Sequence, residues 1–97
     1  FCQTAQAQVK RPMTTGELYA FCKGATPEAT NFCSGFVLAI VTYVARVPSL
    51  GVCLPPSVST SEYIQLFERW VELRPGAMVD GADLGVTHAI VDLFPCR

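Results

Sequence analysis

Five cysteines and one histidine are the residues of this 97-residue chain whose types could carry chemistry. Thiols at Cys22, Cys33, Cys53 and Cys96, with Cys2 near the start, could ligate a metal, attack a carbonyl or pair with one another. Metal binding needs clustered ligands, but no Cys-x-x-Cys pair occurs and His88 is the lone imidazole. His88 has Asp92 one helical turn ahead, a spacing that on a helix makes a surface pair more often than a catalytic dyad. Ser57, Ser59 and Ser61 fall where turns and helix caps are expected. No glycine-rich phosphate loop or paired-carboxylate motif is present. These residues read as a protein that is not an enzyme, with no cofactor and no metal.

That leaves disulfides, which form and persist in exported, oxidising compartments. Ala5-Gln6-Ala7 has the small-x-small form that precedes signal-peptidase cleavage, so 1–7 is read as the remnant of an export signal. The domain is then 8–97, in an exported, oxidising compartment, and Cys2 belongs to the signal. Four cysteines remain, and four allow three connectivities.

The elements that must position these thiols are helices. The stretch around which the rest is organised begins at Thr26-Pro27, where threonine can cap a helix and proline suits its first position. Phe32, Phe36, Ile40, Tyr43 and Val47 recur on one face, while Val37, Leu38, Val41 and Val44 cover most of the rest. Apolar nearly all round, this helix is expected to be the buried centre. Its uninterrupted run, Phe36 to Ala45, is about ten residues against the roughly 20 a bilayer requires, so no membrane insertion is expected.

Thr14 with Glu17 forms a capping box, stapled by Met13 and Leu18; Ser59 with Glu62 repeats it between Val58 and Tyr63. Asp80 with Asp83, between Val79 and Leu84, is a weaker version. Gly24, Pro48, Pro75-Gly76 and Pro95 supply the stops. The expected fold is all-α: a small, disulfide-stapled domain of four helices near 15–23, 27–46, 60–73 and 81–93, in antiparallel hairpins. Tyr63, Ile64, Phe67, Trp70 and Val71 form the inner face of the third helix, and Ala82, Val86, Ala89, Ile90 and Leu93 that of the fourth. Gly35 and Gly85 sit inside helices at a cost of about 1 kcal/mol each relative to alanine, which close approach of another backbone would offset. Cys22 ends one helix and Cys33 begins the next; Cys53 precedes the third and Cys96 follows the fourth. Antiparallel pairing therefore joins Cys22 to Cys33 and Cys53 to Cys96.

Seven basic against eight acidic residues, with nothing more basic than Lys10-Arg11, exclude a nucleic-acid partner. The ordered set Gly16-x-Leu18, Cys22, Phe32-Cys33-x-Gly35-Phe36, Ala39-Ile40, Cys53-Leu54-Pro55, Val58-Ser59, Trp70, Pro75, Ala89-Ile90 and Leu93-Phe94-Pro95-Cys96 resembles the Tai-type (Rap/Tai) immunity proteins of type VI secretion amidase effectors. The resemblance runs from about Thr14 to Cys96. It implies a periplasmic, disulfide-bonded helical protein that forms a homodimer and sterically blocks the cysteine–histidine site of a secreted peptidoglycan amidase. It also implies that the loop between the last two helices, aided by the third, enters the amidase cleft.

On this sequence that loop is 74–80, short and mostly apolar. Arg74, Pro75, Gly76, Ala77 and Met78 are its candidate contacts, with Met78 as adaptable anchor and Arg74 as forked donor. Val79 is assigned to its staple. Gln65, Glu68, Arg69 and Glu72, on the polar face of the third helix, form the expected rim. Leu66, Leu73 and Val91 lie off the core stripes and favour self-association. The alternatives are a periplasmic acid-stress chaperone, for which one histidine is a sparse switch, and a structural envelope protein or small-ligand carrier without an effector partner.

Overall fold

The computed structural model describes residues 12–96, so the expected export remnant 1–7 and Cys2 lie outside the described residues. Among the described residues four helices form: α1 (Thr15–Cys22), α2 (Pro27–Ala45), α3 (Thr60–Leu73) and α4 (Ala82–Leu93). Two short 3-10 turns join them, Pro48–Leu50 after α2 and Pro75–Val79 between α3 and α4. The fold is all-α, as the periodicity indicates, and α1 packs against each of the other three helices.

Local capping sets three of the four starts. The Thr14 hydroxyl accepts from the Glu17 N–H (3.2 Å), and the Glu17 carboxylate accepts from the Thr14 N–H (2.9 Å). The box repeats at Ser59 and Glu62, at 3.2 and 2.7 Å. Thr26 accepts from the Ala29 N–H at 3.1 Å ahead of Pro27. Such caps stabilise by about 1 kcal/mol each.

The Asp80–Asp83 box does not form. Gly81 occupies the cap of α4 and makes no side-chain bond. Tertiary contacts replace it: Ala82 N–H donates to Met13 O (2.8 Å), and Thr15 N–H donates to Asp80 O (2.7 Å). The Thr15 hydroxyl also donates to Gly81 O (3.1 Å). The start of α4 is thus capped by the start of α1, and Asp80 contributes its carbonyl instead of its carboxylate. Val79 and Leu84 stand exposed at the surface and form no buried staple.

Leu18, Val37, Phe67, Val86 and Ile90 are fully buried, and Tyr63, Trp70, Val71, Ala82 and Ala89 complete the inner faces of α3 and α4. Burial of each large apolar side chain contributes about 1.5–3 kcal/mol. Ile64 is only half-buried and Leu93 is exposed. The larger departure is α2. Its buried residues are Cys33, Val37, Val41 and Val44, while Phe32, Leu38 and Tyr43 face outward. Apolarity around the whole circumference does not say which side meets the core. The Cys22–Cys33 disulfide turns one side of α2 toward α1, and α3 and α4 cover that same side.

Both disulfides form as the antiparallel argument requires, Cys22–Cys33 with Cα atoms 5.0 Å apart and Cys53–Cys96 at 4.9 Å. Chain-entropy reasoning assigns loops of these lengths roughly 3 and 4 kcal/mol. The second is flanked by backbone bonds from Cys53 N–H to Phe94 O (2.9 Å) and from Cys96 N–H to Gly51 O (2.8 Å). Gly51, at φ 66°, takes the left-handed conformation that lets the chain turn into this clasp. Gly85 is needed for close packing. A Cβ there would lie 2.8 Å from Thr15 Cγ2 and 2.9 Å from Thr15 Cβ, so α1 and α4 meet at that point. Gly35 has open space around it.

Candidate interaction surface

The 74–80 connection contains a 3-10 turn, Pro75–Val79. Ala77 N–H donates to Arg74 O (2.9 Å) and Asp80 N–H to Ala77 O (3.0 Å), closing it on itself. Met78 is directed inward, against Gly16 of α1. Ala77 also packs on the core. Both residues are partly buried, so Met78 spends part of its side chain on α1 and presents only the rest outward. Pro75, Gly76 and Val79 are exposed, Val79 to 81 %.

Arg74 is exposed but held. Its guanidinium lies 5.2 Å from the centre of the Trp70 ring, and Nη2 is 3.8 Å from Asp92 Oδ2. The same carboxylate oxygen accepts the Trp70 indole N–H at 2.9 Å. The surface pair expected between Asp92 and His88 gives way to this arrangement, because Trp70 supplies a partly buried donor that His88, exposed on α4, cannot match.

The rim expected on α3 divides in two. Glu72 Oε2 accepts a 2.6 Å hydrogen bond from the Tyr19 hydroxyl and lies 3.5 Å from Lys23 Nζ, while Glu68 Oε1 is 3.7 Å from the same ammonium. Lys23 also sits 5.6 Å from the Tyr19 ring centre. Glu68 and Glu72 thus fasten α3 to α1. Gln65 and Arg69 make no such bond among the described residues and, with Val58, Glu62, Leu66 and Phe94, line an open cleft of about 240 Å³.

Electrostatics follow these contacts. The hydrogen bond to Glu72 raises the Tyr19 pKa above its ordinary value, and the same bond lowers that of Glu72. Attraction to Glu68 raises Lys23. The Glu62 carboxyl is lowered by the backbone and hydroxyl of Ser59, and burial raises Tyr63. None of these groups is a nucleophile beside a base. Among the described residues no three of His, Cys, Asp and Glu converge as metal ligands.

Beyond the cleft residues, Leu73 is 72 % exposed, and Pro75, Gly76 and Val79 after it are exposed too. Leu73 was legible as a residue off the core stripe. Val79 was not, because its capping-box context assigned it to a staple that the structure does not form. No curated protein and no solved structure matches the chain. The family model of Rap1a immunity proteins matches residues 14–96, from the first cap to the last disulfide. The chain belongs to the Rap1a immunity proteins, a family whose members are inhibitors and not enzymes.

Proposed function

We propose that this protein is a periplasmic immunity protein that binds a secreted peptidoglycan amidase, of the type VI effector class, and occludes its catalytic cleft. It acts as a homodimer. The observation that carries the choice of surface is the pair of exposed apolar side chains, Leu73 just before the 74–80 connection and Val79 near its end. Exposed apolar area beside Arg69 and Arg74 supports this reading, because arginine is enriched at interface hot spots. Arg69 and Gln65 supply donors, and Arg74, braced by Trp70 and Asp92, presents its guanidinium at low entropic cost. Two disulfides in so short a chain fit the oxidising periplasm.

The experiment pairs calorimetry with protection of cells that export the amidase. Leu73→Asp and Val79→Asp are expected to weaken binding by about 2 kcal/mol or more each and to abolish protection, with melting temperatures near that of the parent. Met78→Asp is expected to unfold the turn instead. Full binding and protection by folded Leu73→Asp and Val79→Asp variants would sink this assignment.

A further inference from the structure

We infer that the outer face of α2 is a self-complementary seam on which a second copy of this chain packs antiparallel. The inference deepens the homodimer proposed above by assigning its face. Along α2, Glu28, Phe32, Gly35, Ala39, Thr42 and Arg46 are all exposed. They recur at intervals of four, three, four, three and four, the spacing of a two-helix seam. This line lies opposite Cys33, Val37, Val41 and Val44, which face the core.

The positions of this line are symmetric about the level of Val37, with small residues at its centre and opposite charges at its ends. A two-fold axis there sets Gly35 against Ala39, Phe32 against Thr42 and Glu28 against Arg46 of the other copy. A parallel pairing would set Glu28 against Glu28 and Arg46 against Arg46. The antiparallel one matches opposite charges at both ends and opposes the helix dipoles. Glu28 and Arg46 make no ion pair among the described residues.

The centre of the seam is small and free of charge. A Cβ at Gly35 would meet nothing within 4 Å, so no neighbour in the chain requires a glycine there. A second backbone approaching Gly35 and Ala39 does. The Thr42 hydroxyl already donates to Leu38 O at 2.8 Å and can be covered without losing a partner. Leu38 and Tyr43, 44 % and 64 % exposed, flank the line and supply apolar area. Phe32 is held by rings at 4.9 Å (Phe21) and 5.9 Å (Phe36). The 19-residue helix is long and apolar enough to cross a bilayer. A lipid-facing side would, however, carry large apolar residues along its midline, where this one carries glycine, alanine and threonine.

Sedimentation equilibrium of the disulfide-intact protein from 1 to 100 µM tests the inference. A dimer is expected, weakened at least a hundredfold by Ala39→Arg and about tenfold by Glu28→Arg or Arg46→Glu, because each single reversal turns two attractions per dimer into repulsions. The double variant Glu28→Arg/Arg46→Glu should restore the parent affinity. Circular dichroism confirms that each variant is folded. A dimer indifferent to Ala39→Arg, or no rescue by the double variant, overturns the seam while leaving the homodimer standing. A monomer at 100 µM overturns both. Co-sedimentation with phosphatidylethanolamine–phosphatidylglycerol vesicles that Ala39→Arg abolishes overturns the seam in favour of a lipid surface. Amidase binding by the Ala39→Arg monomer separates any of these outcomes from the inhibitory reading.

Discussion

Two mid-helix glycines should answer the same substitution with opposite signs. At Gly85 alanine gains about 1 kcal/mol of helix propensity. Its Cβ, however, would stand 2.8 and 2.9 Å from Thr15 Cγ2 and Cβ, well inside the roughly 3.5–4.0 Å of a relaxed carbon contact. Thr15 cannot yield cheaply: it is fully buried, its hydroxyl donates to Gly81 O, and its N–H donates to Asp80 O. Moving α1 away costs about 1–3 kcal/mol in overpacking and threatens a hydrogen bond of about 0.5–1.5 kcal/mol. The net expectation is destabilisation by about 1–3 kcal/mol. At Gly35, where the added methyl meets nothing, alanine should stabilise by about 0.5–1 kcal/mol. Urea denaturation followed by far-ultraviolet circular dichroism, with disulfides intact, reads both. Gly35→Ala is measured in the Ala39→Arg background so that self-association does not contribute. If Gly85→Ala proved as stable as the parent at unchanged denaturant slope, α1 and α4 would not meet as described.

Three further outcomes follow from the same contacts. Non-reducing peptide mapping should recover Cys22–Cys33 and Cys53–Cys96, and mild reductant should open Cys53–Cys96 first, because Cys33 is buried while Cys53 and Cys96 are exposed; the reverse order of opening would contradict the burial argument. Ser59→Ala should cost about 1 kcal/mol of stability in thermal melts, and no loss would mean that this cap is not in use. Glu62 and Glu72 have folded pKa values below the ordinary carboxylate value, so what they contribute is present above that value and lost as pH falls through the depressed ones. The acid limb of a melting-temperature profile should therefore flatten in a Glu62→Ala/Glu72→Ala variant, and an unchanged limb would place the acid sensitivity elsewhere.

Helix number, order and most boundaries were legible because their signals are local. A hydroxyl followed three residues on by glutamate caps its own helix at Thr14 and Ser59 whatever the rest of the chain does. The disulfide pairing was legible too, since hairpin order alone brings Cys22 to Cys33 and Cys53 to Cys96. Tertiary packing decided what local signals leave open. A helix apolar around its whole circumference carries no mark of which side meets the core, so Phe32 and Tyr43 fell outside and Cys33 and Val37 inside. The start of α4 took its cap from α1, which drew Met78 inward and left Val79 outward. The polar face of α3 was split by Tyr19 and Lys23, residues more than forty positions away in sequence, which engage Glu68 and Glu72 and leave Gln65 and Arg69 outward. Side-chain availability depends on what lies opposite in space, and that is settled only when the helices pack.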